Sequence, residues 1–420
     1  MGASPRRTRR EERQTLKTFR PVDERECARI IIEAAGTGTP LDIRGSGSKA
    51  NVGRATNTEI TVSSRAMRGV TLYEPNEMVM SARAGTLLSQ IEEELAAKRQ
   101  MLAFEPVELA TVTGGDPAEA TIGSLFATNA SGARRIMMGA ARDHLLGVRG
   151  VNGRGEIFKN GGRVMKNVTG VDLCRGMAGS WGTLAVLSEV TFKVLPVPAD
   201  TISLVLLGLE DQFAIEALCA AMGTPFEISG AVHIQAGLAK RLWHDGLREQ
   251  GQAVTAIRLE NFPKSIAYRK ERLREVLKIY GDVHELEHEN SLAFWGELRQ
   301  LSLLQESPLP LWRISTAPTK GPKVVQAISS YMPVSAYYDW AGGLIWLEVP
   351  AARDAGVADV RRVVATHGGH ATLIRAEADV RAAIDVFQPL DPGLDLLTRR
   401  LKTAFDPARI LNPGRMYPGL

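Results

Sequence analysis

Residues 41–53, LDIRGSGSKANVG, gather three glycines, two serines and two cations behind a short apolar run. Gly45, Gly47 and Ala50 satisfy the spacing G-x-G-x-x-[G/A], which in a dinucleotide fold sets a pyrophosphate on the N-terminus of the helix that follows. Here no helix can follow. Residues 51–59 are polar and broken by Gly53, and the β-rich EITVSS begins at once, so there is no room for a crossover helix. An anion at this place must be held by the loop itself, in a nest of consecutive backbone N–H groups with Arg44 and Lys49 supplying charge. The same residues would also serve as a solvated glycine turn. Three more glycine-rich stretches point to a bulky ligand: TIGSLFATNASGARR (121–135), GAARDHLLG (139–147), and the pair GGRVMKNVTGVDL and GSWGTLAVLSEV (161–173 and 179–190). Glycine costs conformational entropy and packs poorly, so four such stretches together imply close approach of backbone to something large.

The elements that must position these loops are mixed. A helix is expected over 23–35, strands at 41–44, 59–64, 69–75 and 78–85, a helix with an apolar stripe at Leu87, Leu88, Ile91 and Leu95, a hairpin turning at Asn152-Gly153, and a strand over 183–195. PVPAD (196–200) then punctuates the chain and the glycine density falls, which marks a domain boundary. Beyond it, two successive rounds of strand and helix predict split βαβ units forming an antiparallel sheet with helices on one face. The expected organisation is a basic disordered tail (1–20), a two-part ligand-binding domain (21–198), an α+β cap (199–390) and a segment returning to the first domain (391–420).

A chain of 420 residues with 44% hydrophobic and 23% charged residues suits two soluble domains. Its net charge of +4 resides in residues 1–20, which carry seven Lys or Arg and two acidic residues. The body is therefore close to neutral, and no nucleic-acid-binding face is expected. No secretory core or membrane-length apolar run is found, so a cytoplasmic location with at most peripheral membrane contact is expected. Cys27, Cys174 and Cys219 are isolated, a pattern that builds neither an iron–sulfur cluster nor a zinc site. No metal is expected.

Taken in order, these residues resemble the PCMH-type FAD-binding domain of the vanillyl-alcohol oxidase family, and within it the FAD-binding E subunits of bacterial glycolate oxidases. The similarity runs from about Leu41 onward and includes YEP (73–75), SARAGTLLSQI, LAFEP, SGARRIMMGAARDHLLGV, VMKNVTGVDL, LWRISTAPT, GGHATLIR and FDPARILNPGRMY. The resemblance implies an α+β fold in which Arg44, Gly45, Ser46, Gly47, Ser48 and Lys49 wrap the FAD pyrophosphate. By the same likeness Ile122, Gly123 and Ser124 form the family's I-G-G turn, and Asn129, Ser131 and Gly132 line the flavin. Arg142 and Asp143 match an R-D pair, while Gly179, Ser180, Gly182, Thr183 and Val186 match the strand entry near the adenosine half. Asn412 and Gly414, flanking Pro413, match a segment that returns toward the ring. Ser124, Trp181 and Ala185 depart from the commoner residues. Some relatives tether the flavin through a His placed where this chain has Ser48, so non-covalent FAD is implied.

The resemblance also implies oxidation of a small 2-hydroxy acid, glycolate or D-lactate, which needs a base for the hydroxyl proton and a cation or metal for the carboxylate. The H-x-x-x-x-x-x-H and E-H-G motifs of catalytic relatives are missing. Arg313, His367 and His370 remain as substrate-facing candidates, although the two histidines would equally suit a turn and a strand start. A sister FAD-containing catalytic subunit and an iron–sulfur subunit are implied as partners. A self-sufficient FAD oxidoreductase and a flavin-free scaffold remain as alternatives.

Overall fold

The computed structural model describes residues 17–56, 58–162 and 172–420. The expectations for residues 1–16, and for the motif stretch 163–171, lie outside the described residues.

The first part of the chain builds two small sheets and a two-stranded ribbon that pairs Gln100–Met101 with Leu195–Pro196. Leu41–Arg44 and Lys17–Phe19 flank Ile60–Ser63 in a parallel three-stranded sheet. Residues 17–20 thus do not belong to a disordered tail: Lys17–Phe19 adds its backbone groups to the open edge of Ile60–Ser63. Two neighbouring parallel strands normally require a helical crossover, yet here the glycine loop and the polar run after it make the connection. Helix Glu24–Thr37 starts where the Asp23 side chain accepts the Glu26 N–H and stops at Gly38, whose φ of 67° only glycine adopts easily. Its stripe of Cys27, Ile31 and Ala34 packs on Leu41 and Val62, and on Val151 and Val186 of the second sheet. That second sheet is antiparallel, in the order Val70–Glu74, Val79–Arg83, Ala185–Lys193, Leu145–Asn152, Ile157–Gly161.

From Asp200 the chain forms one eight-stranded antiparallel sheet. Its first half runs His284–Leu286, Asp200–Leu207, Val254–Asn261, Ile228–Ile234. Its second half repeats that order in mirror sequence: Ser335–Asp339, Leu344–Glu348, Leu311–Ser315, His370–Arg375. The halves join where His233 and Ile234 pair with Tyr338 and Tyr337. Each half is therefore a split βαβ unit, and the fold is α+β. Alternation along the strands sorts the faces. Leu204, Leu206, Trp312, Ile314, Ile345 and Leu347 pack beneath helices Asp211–Met222, Pro263–Leu277, Gly321–Ser329 and Val357–His367. Val205, Tyr337 and Trp346 point the other way, into a core shared with the first part of the chain.

Charge also crosses that junction. Glu105 accepts Arg258 Nη1 and Nη2 at 2.8 and 2.9 Å and Arg134 Nη1 at 3.0 Å, and Arg134 reaches Glu260 at 2.6 Å. Two arginines and two glutamates, all largely buried, thereby form one compensated network.

Candidate functional site

The glycine loop after strand Leu41–Arg44, the first turns of helix Ile122–Thr128 and the turn leading into strand Ala185–Lys193 converge on a cleft. It encloses about 640 Å³ counting its open mouth, and its lining is mainly apolar. Arg44, Gly45, Gly47, Ser48, Lys49, Gly123, Ser124, Gly182 and Val186 all line it, with Trp181, Ala185 and Arg415. Two glycines show why a side chain is excluded. Gly47 has φ +104° with no protein atom within 4 Å of an added Cβ, while a Cβ on Gly123 would lie 2.6 Å from Cβ of Ala84. Gly123 lets the helix sit directly on Ala84, whose carbonyl accepts the Gly123 N–H at 2.9 Å. Ile122 lies in the core beneath.

The loop presents donors without acceptors. Among the described residues the N–H groups of Ser46, Gly47 and Ser48 have no hydrogen-bond partner, and the buried Ser46 hydroxyl has none either. Buried polar groups are ordinarily satisfied, so the loop fits an acceptor-rich ligand. Charge fits as well, with one change from the sequence expectation. Arg44 pairs with Asp42, because residues two apart in a strand share a face, so its charge is not free. Arg415 also approaches Asp42, at 3.7 Å, and donates to the Lys49 and Val52 carbonyls; burial pulls its pKa down to about 10. Lys49 is buried and has no ion-pair partner among the described residues; desolvation lowers its pKa, partly offset by the field of Glu108. Arg44 and Arg415 share the single Asp42 carboxylate, and Lys49 adds a third positive charge to the cleft lining.

The other predicted residues surround this cleft without lining it. Asn129 caps helix Ile122–Thr128 in the left-handed region and accepts the Arg142 N–H. The Ser131 hydroxyl accepts the Ala141 N–H, and the Gly132 carbonyl accepts Trp340 Nε1 of the large sheet. Arg142 and Asp143 are half-exposed, with their charged atoms 4.0 Å apart. Gly179 and Ser180 begin the turn that Trp181 continues, and the Thr183 hydroxyl closes it on the Ser180 carbonyl. Asn412 binds both Ile43 and Trp181 through their backbones, at 2.7 Å from the Ile43 N–H and 2.7 Å to the Trp181 carbonyl, and so ties together two walls of the cleft. Gly414, with φ +74°, turns the chain so that Arg415 reaches the lining.

Of the substrate-facing candidates, Arg313 lies on strand Leu311–Ser315 and points toward the junction, with its guanidinium 5.1 Å from the Trp340 ring. His370 begins the neighbouring strand, paired with Ser315; burial and the fields of Arg313, Arg135 and Arg361 lower its pKa. His367 ends a helix on the opposite face and is bonded to the Val363 carbonyl, so it is not brought to the junction. Sequence reasoning missed Arg415 and Arg135, although both lie inside motifs that it had singled out. Among the described residues no cluster of His, Cys, Asp and Glu could hold a metal ion, and no helix is long and apolar enough to cross a membrane.

This architecture is shared with solved structures. The structure of p-cresol methylhydroxylase superposes over 95% of this chain and 88% of that one with a TM-score of 0.70 at 13% identity. An alkyldihydroxyacetonephosphate synthase gives 0.68 over 94% and 75% at 16% identity. Residues 16–161 match the FAD binding domain family. The fold and this family match together define a protein that carries an FAD binding domain. The chain is 35% identical over 391 residues to glycolate oxidase subunit GlcE of Escherichia coli, covering 93% of this chain and 96% of that protein. It belongs to the family of that subunit. Glycolate oxidase subunit GlcD of Bacillus subtilis is more distant, 23% identical over 94% of this chain and 88% of that protein. A D-lactate dehydrogenase of Anaerostipes hadrus shares 35% identity over 37% of this chain and 31% of its own length.

Proposed function

We propose that this chain is the FAD-binding subunit of a multi-subunit oxidase that converts a small 2-hydroxy acid, glycolate or D-lactate, to its 2-oxo acid. The near full-length match to a glycolate oxidase subunit carries the reading, and the donor-rich glycine loop supports it from the structure. FAD bound in the cleft supplies an acceptor for two electrons. The backbone N–H groups of Ser46, Gly47 and Ser48, with Lys49, would hold the pyrophosphate, while Trp181, Ala185 and Val186 would pack on its apolar parts. Ser48 has no imidazole to offer, so the flavin is held without a covalent bond. A sister flavoprotein performs most of the turnover and an iron–sulfur subunit removes the electrons. The complex works in the cytoplasm, and any membrane contact is made through the partners.

Affinity purification from the native host tests this reading. The expected result is a yellow complex containing a second flavoprotein and an iron–sulfur protein, whose FAD enters the supernatant after acid precipitation and which reduces an artificial dye with glycolate or D-lactate. The isolated chain should be yellow but slow with the same dye. A colourless protein, or an isolated chain as fast as the complex, would contradict the proposal.

A further inference from the structure

Arginines at the junction between the two parts of the chain fall into two sets. Arg134 and Arg258 are consumed by Glu105 and Glu260. Arg135 and Arg313 are not. Arg135 comes from the flavin-binding part, one residue after Arg134, and Arg313 comes from the large sheet. Their guanidinium carbons lie 4.4 and 5.1 Å from the centre of the same Trp340 ring, and Arg313 lies 6.0 Å from Trp346. Both side chains are half-buried, and among the described residues neither makes a hydrogen bond or an ion pair.

Such an arrangement costs free energy when nothing else is present, because desolvated like charges repel. Burial and the field of Arg135 bring the Arg313 pKa down to about 10, with Asp339 and Tyr337 acting in the opposite sense. Arg142 adds to the positive field at Arg135 and Asp143 opposes it. Asp339 is the carboxylate whose field acts on Arg313, yet its Oδ1 accepts the Trp340 N–H at 2.7 Å and among the described residues it pairs with neither arginine. Cation–π contact with Trp340 fixes both guanidinium groups in place without using their N–H donors. Two pre-positioned forks with free donors form a receptor for a carboxylate.

We infer that Arg135 and Arg313, held against Trp340 from opposite sides of the domain junction, clamp the carboxylate of the substrate acid. The inference rests on the 2-hydroxy-acid reading above and goes beyond it in two respects. It gives this subunit its own site for the acid, and it makes that site depend on both parts of the chain being docked. Arg135 serves as a binding residue beside Arg313, and Trp340 positions the two.

The test is a titration of the full-length FAD-loaded chain with glycolate, D-lactate and oxalate, followed by tryptophan fluorescence and flavin absorbance, with uncharged glycolamide as control. Trp340→Phe assigns the fluorescence response. Arg135→Met and Arg313→Met should each weaken binding of the acids by roughly 10- to 100-fold. Glycolamide binding and FAD content should be unchanged, and Arg135→Lys should recover part of the loss. Because the Arg135 side chain makes no hydrogen bond or ion pair among the described residues, its variants keep the test valid if Arg313→Met does not fold. A colourless protein that still binds the acids through Arg135 would defeat the flavoprotein reading but not the clamp. Acid affinities equal in wild type and in Arg135→Met, or no response to any of the three acids in wild type, would overturn the clamp.

Discussion

At the scale of single residues, Gly47 and Gly123 line the same cleft for different reasons, and substitution separates them. Gly47 faces open space in a left-handed conformation, so Gly47→Val adds backbone strain of about 1–3 kcal/mol and, on the proposed reading, places methyl groups against the cofactor's phosphates. The expected outcome is a folded protein with little flavin. Gly123→Ala instead pushes a methyl group into Ala84 and should lower flavin content and melting temperature together. Absorbance at the flavin band and a thermal melt on each variant check both; full flavin in Gly47→Val would remove the loop from the cofactor site. The glycine spacing was legible in the sequence because a nest needs that residue type. The neutralisation of Arg44 was also legible, since Asp42 and Arg44 share a strand face. Arg415 could not be placed from sequence because its role depends on a contact 366 residues away.

At the scale of elements, helix Pro392–Phe405 is anchored on the flavin-binding part by a buried lysine, beside the Gly153 N–H donated to the Phe405 carbonyl. Lys402 Nζ donates to the Thr183 and Leu411 carbonyls at 2.7 and 2.8 Å and to Asp406 at 2.8 Å, and Asp406 in turn accepts the Leu411 N–H. Lys402→Met leaves a buried carboxylate and two carbonyls uncompensated, a loss of about 3–5 kcal/mol. It should also loosen the turn at 180–183, so flavin content falls with stability. Chemical denaturation of the holo and apo forms measures both terms, and a variant as stable as wild type would show that water replaces the ammonium group. The helix itself was visible in the sequence. So were the strands of the large sheet, because short β-rich apolar runs such as residues 201–209 stand between helical segments. The destination of the second face was not, since a strand apolar on both sides reads alike whether it meets a helix or another domain.

At the scale of the molecule, the Glu105, Arg258, Arg134 and Glu260 network sets the response to acid. Burial alone would raise the Glu105 pKa, but Arg258 and Arg134 outweigh it and hold the carboxyl down at about 2. A folded-state value below the unfolded one stabilises the protein above the unfolded pKa of about 4.5, and that contribution is lost as pH falls toward 2. Glu105→Gln should therefore cost about 3 kcal/mol at neutral pH, because it leaves arginine charge uncompensated. It should also flatten the decline of stability between about pH 5 and pH 2, as read by denaturant midpoints at several pH values. An unchanged slope would mean that other carboxylates govern acid unfolding. The parallel pairing of Leu41 with Leu411 and the double grip of Asn412 on Ile43 and Trp181 carry a consequence for the order of events during synthesis. When the ribosome has released the first 200 residues, the glycine loop, the helix behind it and the Trp181 turn all exist, yet the group that joins two of them has not been translated. If the cleft holds the flavin as proposed, capture waits until residues 412–415 have cleared the exit tunnel, and a fragment ending at residue 411 is expected to be colourless where the full chain is yellow.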